Sequence, residues 1–142
     1  LHKAIRRQRQ MCIRDSLREG DFLSLNVPLT DSTFHLIDKN KLDQMKTGSI
    51  LINIARGPVI DEFAVADALK SGKLGAAAVD VFPTEPCTNS PLADCSTTVL
   101  TPHTASSTVG NSAEMNIAAV DNVLNYLKGT LNNRYLVIKG VR

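Results

Sequence analysis

Short apolar runs alternate along this chain with segments of helical spacing. Ser49-Ile50-Leu51-Ile52-Asn53-Ile54 is nearly all apolar and rich in β-branched residues. Such a run predicts a strand buried on both faces of a parallel sheet. Asp21–Val27, stopped by Pro28, predicts a strand before it. Ala76–Phe82, broken by Pro83 and Pro86, and Thr97–Thr101, stopped by Pro102, predict two more after it. Between them, Asp38 caps a short helix that runs to Met45. Asp61 caps a second helix, Glu62 to about Ser71, with Phe63, Val65, Ala66 and Leu69 on its inner side and Gly72 ending it. A long helix is predicted from about Ser106 to Leu127, ended by Gly129, and a last apolar stretch follows at Tyr135–Ile138.

Strand and helix in this alternation make a βαβαβ arrangement, which places the chain in the α/β class with a parallel sheet and right-handed crossovers. In such sheets ligands bind beyond the carboxyl ends of the strands. Arg56, Glu85 and His103 each follow the end of a different predicted strand, so the topology brings all three to one edge. An Arg fork matches a carboxylate with two parallel hydrogen bonds. A His exchanges a proton near neutral pH. A carboxylate beside the ring favours the imidazolium, ready to donate that proton. The set suits gripping a 2-oxo acid by its carboxylate and protonating its ketone as hydride arrives at carbon, or the same steps in reverse. Singly, each residue has an ordinary explanation: a surface cation, a solvated loop carboxylate, a ring packed at the sheet edge. Their recurrence at successive strand ends is what points to a site.

Composition narrows the alternatives. The 142 residues suffice for one domain with a real core, and 43% hydrophobic content excludes compositional disorder. With no Trp and 4% aromatics, a stacking platform for single-stranded nucleic acid is not expected. No apolar run approaches the ~20 residues of a membrane span. The formal charge of +2 is uneven: residues 1–16 carry a net +4, which leaves −2 for the other 126. The basic balance therefore belongs to the tail, and no nucleic-acid partner is expected. Cys12, Cys87 and Cys95 form no C-x-x-C pair and no secretion signal is visible, so reduced thiols in a cytoplasmic protein are expected. No Cys/His grouping has zinc-like spacing, and no metal is expected.

The motifs themselves are more specific. Asn53–Glu62, NIARGPVIDE, resembles the N-x-[AS]-R-G-x-x-[VI]-[DN]-E signature of the D-isomer-specific 2-hydroxyacid dehydrogenases. Ala78–Pro86 is similar to that family's D-V-F-x-x-E-P segment, and Leu100–Ala105 to its T-P-H-x-[AG] segment. Asn26–Thr30 and His35–Ile37 also fit, and the resemblance spans Leu17 to Val137. It implies that Arg56 grips the substrate carboxylate, Glu85 orients and charges the histidine, and His103 is the acid/base. It further implies a cofactor, NAD or NADP, with Pro28 near the adenosine-side ribose and pyrophosphate. Ile54, Ala55 and Arg56 would lie along the dinucleotide and Asp80 at its nicotinamide end. His103, Thr104, Ala105 and Ser106 would line the nicotinamide pocket at a helix start. The implied substrate is a small 2-oxo or 2-hydroxy acid of glyoxylate, hydroxypyruvate or phosphoglycerate type, and the implied parent assembly is a homodimer.

That family inserts a Rossmann-type cofactor domain within a substrate domain. Residues 17–104 would then be the second half of the NAD-binding domain, and 105–142 the long helix and C-terminal segment returning to the substrate domain. No G-x-G-x-x-G occurs, so the first strand and the phosphate-binding turn are expected upstream. The expected fold is a partial doubly wound sheet, truncated. Residues 1–16 are an unmatched basic tail, in which the Met11–Ser16 string resembles an adapter-derived artefact. Two other readings are a non-enzymatic NAD-binding module similar to transcriptional corepressors of this fold, and an inert truncated fragment.

Overall fold

Four parallel strands form one sheet in the order in which they occur along the chain: β1 (Phe22–Leu25), β2 (Ser49–Asn53), β3 (Leu74–Val79) and β4 (Thr98–Leu100). The structure, a computed structural model, describes residues 15–135. Most of the basic tail and the last apolar stretch beyond Tyr135 lie outside the described residues. Helix α1 (Lys39–Gln44) connects β1 to β2, and α2 (Glu62–Lys70) connects β2 to β3. The predicted caps are present: the Asp38 carboxylate accepts from the Lys41 amide at 2.8 Å, and Asp61 accepts from the Phe63 and Ala64 amides at 3.1 and 3.2 Å. Each such cap contributes about 1 kcal/mol. Gly72 follows α2 at φ +75°, a left-handed stop that costs glycine little.

Each crossover steps to the next strand in the same direction. Right-handed connections that do so lie on one face of the sheet. Burial follows that geometry. Leu25, Leu51, Ala77 and Val79 point into a core completed by Leu42 and Met45 around α1 and by Val65, Ala66 and Leu69 of α2. Leu17, in a helical turn at residues 15–19, also belongs to this core. On the opposite face Ile50, Ile52, Ala76 and Ala78 are half-buried, while Phe22 and Val99 are exposed.

Several expectations are corrected. β2 is not buried on both faces: alternate residues are closed and half-open, because all the connections stack on one side. Phe63 is 72% exposed rather than inward. At 3.6 residues per turn it lies roughly 140° around α2 from the centre of the buried stripe. β3 runs Leu74–Val79 instead of Ala76–Phe82. Its early start follows from Gly48, whose amide donates to the Lys73 carbonyl, and its end from the last ladder bond, Thr101 N–H to the Val79 carbonyl at 3.0 Å. β1 is shorter than the predicted Asp21–Val27.

The chain forms two units, Leu1–Thr104 and Ala105–Arg142. Within the second, α3 (Val109–Leu127) starts three residues later than predicted, because the Thr108 hydroxyl caps it by accepting from the Asn111 amide at 3.2 Å. No helix among the described residues is long and apolar enough to cross a membrane.

Candidate active site

The four carboxyl ends of the strands lead to the residues singled out in the sequence by chemistry or by resemblance. β1 leads to Pro28, β2 to Ile54–Arg56, β3 to Asp80 and Glu85, and β4 to His103 and Thr104. The nearest approach is between Glu85 and His103, whose Oε2 and Nδ1 lie 2.7 Å apart. Glu85 Oε1 accepts from the Phe82 amide at 3.0 Å, so both carboxylate oxygens are engaged. The His103 hydrogen bond, helped by the Phe82 amide, holds the Glu85 carboxyl below its ordinary value of 4.5. The charges of His103 and Arg56 act in the same direction. Glu85 is thus a carboxylate at neutral pH, aimed at one ring nitrogen. Such a contact fixes the tautomer and leaves the other nitrogen for chemistry.

Backbone geometry sets this pair. His103 sits at φ +55°, a left-handed conformation uncommon for a residue with a side chain. Its amide donates to the Thr101 carbonyl at 3.0 Å, closing a tight turn over Pro102. Asp80, 5% exposed, accepts on Oδ1 from the Thr101 hydroxyl at 2.5 Å and from the Thr104 amide at 2.8 Å. The loop that carries Glu85 is pinned to α2 farther along, where the Ser90 hydroxyl donates to Glu62 at 2.8 Å.

Arg56 belongs to a different turn. The fully buried Asn53 side chain donates to the Arg56 carbonyl and accepts from the Ala55 amide, each at 3.1 Å. The Arg56 guanidinium is exposed and donates to the Ala55 carbonyl at 2.7 Å. Next to it, Gly57 touches the Glu85 loop directly: a Cβ there would lie 2.0 Å from the Phe82 carbonyl carbon and 2.3 Å from the Pro83 nitrogen. Only a glycine allows the two loops to meet.

Two cavities flank these turns. One, about 500 Å³, is lined by Val27, Pro28, Leu29, Ile54, Ala55 and Arg56, among others. Apolar walls with a cation at one end suit a flat heterocycle joined to an anion. The other, about 640 Å³, is lined by Phe82, Glu85, Cys87, Leu100, Thr101 and His103, among others. They share no lining residue. Ala105 and Ser106 fall in the second unit, in the turn before α3, and not at a helix start as expected. Cys87 is exposed and Cys95 buried. Among the described residues no group of three or more His, Cys, Asp or Glu is placed to hold a metal ion.

Sequence reasoning gave no part to Asn53, Thr101 or Gly57. Asn53 was legible as a polar residue inside an otherwise apolar strand, since a buried amide must find hydrogen-bond partners. Thr101 carried no such signal.

Comparison with known proteins identifies the family and the fold. The family model described as "D-isomer specific 2-hydroxyacid dehydrogenase, NAD binding domain" matches residues 3–105. The match begins inside the basic tail that was set apart above. D-3-phosphoglycerate dehydrogenase of Mycobacterium leprae (strain TN) is 50% identical over 98 residues, covering 69% of this chain and 19% of that protein. Glyoxylate/hydroxypyruvate reductase B of Yersinia pestis (strain Pestoides F) is 43% identical over 122 residues, covering 84% of this chain and 37% of that protein. The chain therefore spans well under half the length of the relatives it matches. Among solved structures, a glyoxylate reductase from Paecilomyes thermophila superposes with a TM-score of 0.79 at 35% identity, covering 84% of this chain and 37% of that one.

Proposed function

Because the chain belongs to the D-isomer specific 2-hydroxyacid dehydrogenase family, as part of its NAD-binding domain, we propose that the complete protein interconverts small D-2-hydroxy acids and 2-oxo acids. The observation that carries this reading is the 2.7 Å contact between His103 and Glu85 at the sheet edge that also bears Arg56. In the direction of reduction, Arg56 would take the substrate carboxylate on its exposed guanidinium. His103 would give the ketone oxygen a proton from the ring nitrogen that Glu85 does not touch. Glu85 would hold the ring and offset the imidazolium charge. In oxidation the same nitrogen would take the hydroxyl proton.

A nicotinamide dinucleotide, NAD or NADP, supplies the hydride when bound. Pro28, Ile54, Ala55 and Arg56 fit one flank of it, since they line a single open groove. Asp80, His103 and Thr104, with Ala105 and Ser106, are the residues proposed for its nicotinamide end. The family resemblance also supports a cytoplasmic homodimer, which sedimentation of the complete protein at monomer mass would overturn.

The test is NAD(P)H oxidation by the complete protein with a panel of 2-oxo acids that includes glyoxylate and hydroxypyruvate. Turnover on at least one is expected, and Arg56→Gln should raise KM for that acid more than it lowers kcat. Absence of turnover on all of them would overturn the proposal. If NAD(H) then changed the capture of a protein partner, the binding-module reading would replace it.

A further inference from the structure

His103 is held in place by more than Glu85. The residue stands in a left-handed conformation, which costs roughly 1–2 kcal/mol and persists only where surrounding contacts enforce it. Those contacts converge on one atom. Asp80 Oδ1 accepts the Thr101 hydroxyl on one side of His103 and the Thr104 amide on the other, at 2.5 and 2.8 Å. Asp80 is itself fixed: its amide donates to the Asn53 carbonyl at 3.1 Å, and it follows directly on β3. The Thr101 amide is anchored to the Val79 carbonyl, so both ends of the turn are referred to the end of β3. Glu85, the partner of His103, also stands on the segment that leaves β3.

We propose that Asp80 and Thr101 are positioning residues for His103: the Asp80 carboxylate, by holding the Thr101 hydroxyl and the Thr104 amide on one oxygen, sets the turn that presents the imidazole to Glu85. This rests on the reading of His103 as the proton carrier. It adds to the expected cofactor contact of Asp80 a second task, performed inside the protein. Thr101 touches neither substrate nor hydride in this account and acts through the turn alone.

The experiment uses two readouts in the complete protein. The first needs no turnover: the Glu85 carboxyl is titrated by NMR, since its midpoint is depressed chiefly by the His103 hydrogen bond. The second is the pH profile of kcat with whichever 2-oxo acid is reduced. Thr101→Val keeps the shape and removes the hydroxyl. It should raise the Glu85 midpoint toward the ordinary carboxylate value and lower kcat about tenfold, with KM for the dinucleotide changed less than twofold. Thr101→Ser should restore both. Asp80→Asn keeps an acceptor oxygen and should disturb the midpoint less than Asp80→Ala does.

An unmoved Glu85 midpoint in Thr101→Val and Asp80→Ala overturns the proposal. So does a rise in dinucleotide KM in Asp80→Ala while Thr101→Val is silent, because Asp80 would then act on the cofactor alone. If the wild-type protein turns over no 2-oxo acid, the functional reading fails, and the titration still decides whether Asp80 and Thr101 place His103.

Discussion

The two turns that carry the proposed chemistry are built differently. The His103 turn is assembled around charge: a carboxylate holds the backbone, and a second carboxylate holds the ring. The Arg56 turn is assembled around a neutral, fully buried amide, and its guanidinium donates to a neighbouring carbonyl. The proton-handling side is therefore organised in advance. The anion-gripping side has a rigid base and an exposed tip. The difference matches the tasks, since a proton must pass along a defined line, whereas an Arg fork closes on its anion as the anion arrives.

Gly57→Ala strikes the junction of the Arg56 turn and the loop that carries Glu85, and should have the largest effect. Its Cβ has no room against the Phe82–Pro83 backbone, so a loss of about 3 kcal/mol or more is expected in denaturant unfolding. Near-wild-type stability would mean that the Arg56 turn and the Glu85 loop are not in contact. Asn53→Ala strips the buried Ala55 amide of its side-chain acceptor and the Arg56 carbonyl of one of its two donors, and should cost about 2 kcal/mol. It should disturb the Arg56 side selectively: KM for the acid should rise while the Glu85 midpoint stays put, and a shift of both would erase the contrast drawn here. Asp61→Ala removes the cap of α2, which accepts from the Phe63 and Ala64 amides, and should cost about 1 kcal/mol in the same unfolding measurement, with the Glu85 midpoint unchanged.

The smallest effect is the finest test of the contrast. His103→Gln should raise the Glu85 midpoint toward 4.5, and Arg56→Gln should raise it less, because the hydrogen bond outranks the distant charge. A carboxyl depressed in the folded state stabilises above its ordinary value, and that contribution is lost as pH falls through the folded midpoint. The stability contributed by the Glu85 carboxylate should thus fade as pH falls below about 4.5. Equal shifts in the two variants would place Arg56 nearer to Glu85 than described.

Much of this was legible before any coordinates. Proline-stopped apolar runs marked the strands, and Asp38 and Asp61 marked helix starts, because both signals are local. The position of Arg56, Glu85 and His103 at one sheet edge followed from parallel topology, and the roles proposed for them come from a resemblance. What stayed hidden depends on three-dimensional closeness. Phe63 is apolar yet faces outward. The stacking of the connections on one side of the sheet was hidden too, since the direction of each crossover cannot be seen in a string of residues. Gly57 reads as one more turn glycine until the backbone of Phe82 is found where its side chain would be.

The left-handed backbone at His103 has a bearing on how such a chain would drift. Glycine or asparagine would occupy that conformation more comfortably, relieving about 1 kcal/mol. Neither carries an imidazole. On the role proposed for His103, selection for the chemistry would hold this position against a small thermodynamic slope, and a lineage freed from that selection would slide down it. In natural variation, a more heat-resistant copy with His103→Asn or His103→Gly would mark a gene retired from catalysis, not one improved.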